Sequence, residues 1–218
     1  MPMSTDGALY KLQSWLSPSY PVGAYSFSHG IENAVERSLV TTASDAADWI
    51  EDIICRGNGF ADLVFLSASW EASGDVKRLA TVIEEAFAFQ ATAELRGETA
   101  AQGAAFLSVT ADAWPCDTFD TLRDATKGPC PYPVAVGAVA AGHGIDKTDT
   151  LTAYGHAFVS NLVSAAIRLI PLGQTDGQRI IARLQPSVNR SVVKALNTPL
   201  DRVATSTPMV DITSMNHE

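Results

Sequence analysis

Apolar side chains recur along this chain at intervals of three and four, the spacing that lays a stripe down one side of an α-helix. Leu9, Leu12, Trp15 and Leu16 form the first stripe, with Asp6 ahead of them as the expected cap and Pro18 as the stop. In TTASDAADWIEDII, Ser44 reads as the N-cap, followed by acids in the first turn and by Trp49, Ile50, Ile53 and Ile54 on one face. RGNG at 56–59 interrupts the pattern and FADLVFLSASWEAS resumes it. Residues 73–109 predict two helices or one bent one, because Gly97 and Gly103 each cost about 1 kcal/mol relative to alanine in a helix interior. KGPCPYP at 127–133 divides the chain near its middle. After it come the apolar run 134–145, the long TDTLTAYGHAFVSNLVSAAIRLI, then GQRIIARL and SVNRSVVKAL. Few segments alternate with period two and alanine is abundant, which favours helix over strand. The expectation is an all-α fold, a compact bundle of roughly eight to ten helices in one domain spanning 1–218.

The end of the chain, 198–218, is set apart from that bundle. Pro199 and Pro208 are expected to break any helix there, and Leu200, Val203, Met209, Val210, Ile212 and Met215 keep no sustained period. Such a segment buries too little surface to offset an ordering cost of about 1–2 kcal/mol per residue, so a mobile tail is expected.

Composition narrows the classes of function. A chain of 218 residues, 46% hydrophobic and 18% charged, can bury one substantial core. Its net charge of −9 repels phosphate backbones, so nucleic acid is a poor partner. No eighteen apolar residues run together, and MPMSTDGALYKLQSWL lacks a cationic region followed by an apolar one. Neither a membrane span nor a signal peptide is expected. Cys55, Cys116 and Cys130 are odd in number and include no CxxC pair, so neither a disulfide framework nor a structural zinc site follows, and a reducing cytoplasm is the expected compartment.

Catalytic chemistry finds little support. Among His29, His143, His156 and His217 no two stand four apart, so no metal site is expected and no cofactor is implied. His156 reads as a packed core histidine. GAVAAGHG at 137–144 spaces two glycines like a phosphate-binding loop but has His143 where that loop needs lysine. It reads instead as a small-residue helix packed closely on its neighbours and ended by glycine before Asp146. No GxSxG or HExxH occurs, and Glu84 and Glu85 are adjacent and so diverge on a helix. A binding protein leads, and a small helical enzyme or ligand carrier with a site between helices near His29, His156 and Cys130 remains the alternative.

Two polar stretches exceed what core packing requires. SPSYPVGAYSFSHGIE spends Pro18, Pro21, Gly23 and three aromatics on a connection between helices, and NLVSAAIRLIPLGQTDGQR runs an amphipathic helix into a dense polar turn. With ETAAQG at 98–103, YPVAVG at 132–137 and the terminal DITSMNHE, they resemble, in order and over nearly the whole chain, the UreF family of urease accessory proteins. Two departures stand out. The family often has glutamine where this chain has His29, and it usually continues past a C-terminal HE with an arginine-containing tail.

The resemblance implies an all-helical, homodimeric protein that is not itself an enzyme. Such proteins join a UreD-type scaffold, also called UreH, and the GTPase UreG on the urease apoprotein, which then receives nickel. It further implies partner contacts at Tyr20, Tyr25, Ser26, His29 and Glu32 in the opening stretch, and at Arg168, Gln174, Asp176 and Arg179 around the polar turn. At the end of the chain it implies Met209, Asp211, Met215, His217 and Glu218, ordered when the UreD-type partner docks. Rigid aromatic area with polar edges suits such anchors. The plainer alternatives are that Phe27 and Ile31 only staple the following helix to the core, and that the terminus simply frays.

Overall fold

The computed structural model describes residues 5–24 and 28–215. Among them the chain forms eleven α-helices and no strand. These are α1 (Thr5–Trp15), α2 (Ile31–Glu36), α3 (Ala43–Arg56), α4 (Asn58–Ala72), α5 (Val76–Ala88) and α6 (Ala93–Ala113). After the midpoint follow α7 (Thr118–Ala125), α8 (Tyr132–Gly142), α9 (Lys147–Leu169), α10 (Gln174–Leu196) and α11 (Pro208–Met215), with a 3-10 turn at Leu200–Arg202. The architecture is all-α, and short helices such as α2 carry the count past ten.

The centre is a pair of helices with almost no polar face. Every residue of α8 from Pro133 to Ala140 is buried, and α4 buries Phe60, Ala61, Leu63, Val64, Phe65 and Leu66 in near succession. A helix apolar all round has to be surrounded. The amphipathic helices do this: α3 turns Ala46, Ala47, Ile50, Ile53 and Ile54 inward, and α5 turns Leu79, Val82, Ile83 and Ala86. The buried apolar side chains form one continuous cluster reaching from Leu12 to Val210.

Close backbone approach fixes the centre. A Cβ on Gly103 of α6 would stand 1.9 Å from the carbonyl oxygen of Cys130, just ahead of α8. One turn earlier, the Thr99 hydroxyl accepts the backbone N–H of Tyr132 at 3.0 Å and so satisfies an open donor at the start of α8.

Several boundaries differ from expectation. Thr42, not Ser44, caps α3 and forms a capping box with Asp45, because Asp45 reaches back to the Thr42 N–H at 2.9 Å. Asp6 lies inside α1 and not ahead of it. The helix α10 runs unbroken through Pro186. The hydrogen bond that proline removes is offset by packing on α3, where Arg183 pairs with Asp48, and Ser187 and Arg190 both donate to Glu51. Pro208 likewise does not break a helix but begins one, since a first-turn N–H needs no partner within the helix. Glycine ends α8 as expected: the helix stops at Gly142, and Gly144 is left-handed at φ 66°.

The glycines of α6 give opposite expectations. Gly103→Ala drives a methyl into a backbone carbonyl and should destabilise the fold by about 1–3 kcal/mol or more. Nothing lies within 4 Å of a Cβ on Gly97, so Gly97→Ala should stabilise by about 0.5–1 kcal/mol. Denaturant melts of both variants check this, and shifts of the same sign would contradict the close approach.

Candidate partner-binding site

The opening stretch is a run of turns tied at several points to the body. The Tyr20 N–H donates to the Ser17 carbonyl at 2.9 Å and the Val22 N–H to the Tyr20 carbonyl at 2.8 Å. The half-buried Tyr20 places its hydroxyl 2.8 Å from that of Thr110 on α6 and tilts its ring against Phe106. From α9, the Asn161 amide donates to the Ala24 carbonyl at 2.6 Å.

The stretch resumes at Ser28 and enters α2 through two left-handed residues, His29 at φ 49° and Gly30 at φ 78°. His29 is 8% exposed. Its Nε2 faces Glu98 Oε1 at 3.2 Å, its Nδ1 lies 2.7 Å from the Asn58 amide, and its ring meets Phe158 edge-on at 5.0 Å. Glu98 also accepts from the Gln102 amide at 2.8 Å, and Asp62 accepts from the Tyr154 hydroxyl at 2.9 Å. These groups line one cavity of about 470 Å³.

Burial would lower the affinity of His29 for a proton, but the charge and hydrogen bond of Glu98, with smaller contributions from Asp62 and Glu94, outweigh it and raise the pKa. Burial lifts Asp62 to about 7, only partly opposed by the Tyr154 hydrogen bond and by His29. Asp62 keeps some accessible surface because it faces the cavity.

The sequence-derived site residues separate into three groups. Tyr25, Ser26, His217 and Glu218 lie outside the described residues. Glu32 is half-buried on the first turn of α2, Arg168, Gln174 and Arg179 are exposed, and Met209 and Met215 are exposed on α11 beside the half-buried Asp211. His29 is corrected from a surface contact to an interior residue, because Glu98 and Asn58 draw its ring inward. Asp176 is already engaged, accepting from the Gly173 N–H at 3.2 Å and from Arg179 at 2.9 Å.

The structure brings these segments near one another. Gly30 lies against Val210, Thr213 and Ser214 of α11, and Gln178, one turn beyond Gln174, lines the same cavity as Gly23 and Ala24. Of the trio of His29, His156 and Cys130, the two histidines line the same cavity and Cys130 does not. His156 is exposed, with its ring 3.4 Å from the Ser160 hydroxyl, and is not the core histidine expected. Cys130 is buried away from the cavity, and its burial pushes the thiol up to about 12. That is far from the thiolate a nucleophile needs.

Sequence reading missed Asn58, Asp62, Glu98, Gln102 and Tyr154. A signal existed for two of them: Leu95, Glu98, Gln102, Phe106 and Thr110 follow helical spacing, so a charge and an amide sit on the buried stripe of α6.

Comparison with known proteins is consistent over the length of the chain. The UreF family profile matches residues 40–185. The chain is 44% identical over 213 residues to a urease accessory protein UreF of Bradyrhizobium diazoefficiens, covering 97% of this chain and 88% of that protein. A protein of the same description from Rhodopseudomonas palustris is 44% identical over 221 residues, covering 100% and 91%. One from Granulibacter bethesdensis is 43% identical over 215 residues, covering 98% and 91%.

The raised pKa of Asp62 sets a pH dependence. Between its ordinary value of 3.8 and about 7, the folded chain holds this proton more firmly than the unfolded chain, so stability falls as pH rises through that window. Asp62→Asn should remove this fall, and melting temperatures of the two proteins should converge toward acid pH and separate toward neutrality. Parallel curves would contradict it.

Proposed function

Because this chain belongs to the UreF family of urease accessory proteins, we propose that it acts as a non-catalytic adaptor in the maturation of urease. In this reading it forms a homodimer in the cytoplasm. It joins a UreD/UreH-type scaffold and a UreG-type GTPase on the urease apoprotein, and nickel is the cargo delivered there. The observation that carries the reading is the match to proteins described as urease accessory proteins across 97–100% of the chain.

Two features support the placement of partner contacts. Met209, Ile212 and Met215 are 48%, 44% and 50% exposed, a neighbouring apolar row on one side of α11. Such rows are what helix-in-groove or helix-on-surface recognition uses. The polar turn leading into α10 keeps Gln174 and Arg179 exposed, where charge can set orientation, and Gln178 of the same helix lines the cavity that the opening stretch also lines. Among the described residues no helix is long and apolar enough to cross a membrane. The segment 198–218 is proposed to be conditionally ordered, held more firmly when the scaffold partner covers α11.

Co-expression of a urease operon with and without this chain tests the reading. Nickel content and urease activity should both fall in its absence, and unchanged values would refute the adaptor role. Met209→Ser with Met215→Ser should leave the melt of the free chain nearly unchanged, while weakening scaffold binding by about 1–3 kcal/mol, the usual size for anchor residues. Glu32→Ala and Tyr25→Ala should weaken binding to the GTPase by a similar amount.

A further inference from the structure

His29 occupies a backbone conformation that side chains other than glycine rarely adopt. Something must hold it there, and three elements do: Glu98 from α6, Asn58 from the start of α4 and Phe158 from α9. Gly30 completes the turn. A Cβ on it would stand 2.6 Å from the Thr213 hydroxyl and 3.0 Å from the Ser214 nitrogen, so α11 rests directly on the turn that launches α2.

The contacts of His29 fit two protonation states. With a neutral ring, Nε2–H donates to Glu98 and the Asn58 amide nitrogen donates to Nδ1. With a charged ring, Nδ1 is also a donor, and Asn58 meets it by turning its amide to offer the carbonyl oxygen. Only the charged state makes a buried ion pair with Glu98.

We propose that His29 is a positioning residue whose protonated ring, clamped between Glu98 and Asn58, holds the left-handed turn joining the opening stretch to α2, and that this hold weakens when the ring loses its proton. The identity of the partner that reads the turn rests on the adaptor reading above, but the turn and its proton belong to the free chain.

The electrostatic surroundings agree in sign. Glu98 and Glu94 face the ring from α6 and Asp62 from α4, the last bonded to Tyr154 of α9. From α11, Val210, Thr213 and Ser214 lie against Gly30 and do not titrate, His156 of α9 lines the same cavity as the ring, and Glu32 follows on α2 itself. Glu98 first, with smaller contributions from Asp62 and Glu94, outweighs burial and raises the pKa of His29 above its ordinary 6.5. The stabilisation is therefore fully present below that value and is lost as pH rises through the folded pKa.

The test is a titration of the free full-length chain with isotope-labelled histidine side chains. The His29 signal is assigned by its contact with Phe158 and by its loss in His29→Gln. Its ring should titrate above 6.5, and a midpoint at or below that value overturns the proposal. Melts of wild type and His29→Gln are compared in parallel, because glutamine can bond to both Glu98 and Asn58 without titrating. The advantage of wild type over the variant should shrink by about 2–4 °C as pH rises from slightly acid to alkaline. A gap that stays constant overturns it.

The same comparison in an Asp62→Asn background separates the ring from the nearby carboxyl. A pH-dependent gap that persists supports His29, and one that vanishes assigns the effect to Asp62 and overturns the proposal. No partner enters the experiment, so failure of the adaptor reading would leave its result unchanged.

Discussion

The whole architecture depends on enclosing two helices that have no side fit for water. Residues 133–140 of α8 are all buried, and α4 is buried over most of its first two turns and beyond. Such helices contribute their burial free energy only inside a complete shell. Their backbones also approach their neighbours too closely for ordinary side chains: a Cβ on Gly137 of α8 would stand 2.4 Å from the Leu66 carbonyl oxygen, as one on Gly103 of α6 would crowd that of Cys130. These contacts fix the register of α4, α6 and α8, and the amphipathic helices are arranged around them.

One consequence appears where the shell closes over α6. The inward stripe of that helix carries Glu98, Thr99, Gln102 and Thr110 among its apolar members, so the enclosure buries polar groups as well. Each needs a partner, since an unpaired polar group in the interior costs about 1–3 kcal/mol by mutational measures. Thr99 meets α8, Thr110 meets Tyr20, and Glu98 meets Gln102 and His29. The opening stretch is thus bound by the polar part of α6. A buried ion pair is a weak source of net stability but a demanding one geometrically, because losing either partner strands the other.

Helix ends set by local chemistry were legible at several points in the sequence, and features set by distant contacts were not. Pro18 and Gly57 end their helices as the pattern indicated, and the helix ending at Gly142 could be separated from a phosphate loop because His143 and Gly144 stand where that loop needs lysine and serine or threonine. By contrast, Pro186 lies mid-helix because α3 holds both sides of it. His29 is interior because Asn58 and Glu98 arrive from 29 and 69 positions away. The choice of Ser44 as N-cap failed for a smaller reason, since the capping box that Thr42 forms places Asp45 three residues after the cap. Helical spacing identified the all-α class, but it could not say that a glutamate belonged on a buried stripe.

The distribution of residues on α11 bears on function. Its inward side presents Val210 with the small polar Thr213 and Ser214, whose hydroxyls reach the Val210 carbonyl and Glu94. Its outward side presents Met209, Ile212 and Met215. An ordinary surface helix carries the opposite arrangement, with apolar weight inward and polar groups in water. Turned this way, the helix is held to the body by Ser214, which bonds to Glu94 and Thr92, and by the buried Val210, while Met209, Ile212 and Met215 stay exposed. Covering that side would add stabilisation at about 25 cal/mol per Å² of apolar area. A partner of the kind proposed above, covering that side, would hold the segment more firmly than the free chain does.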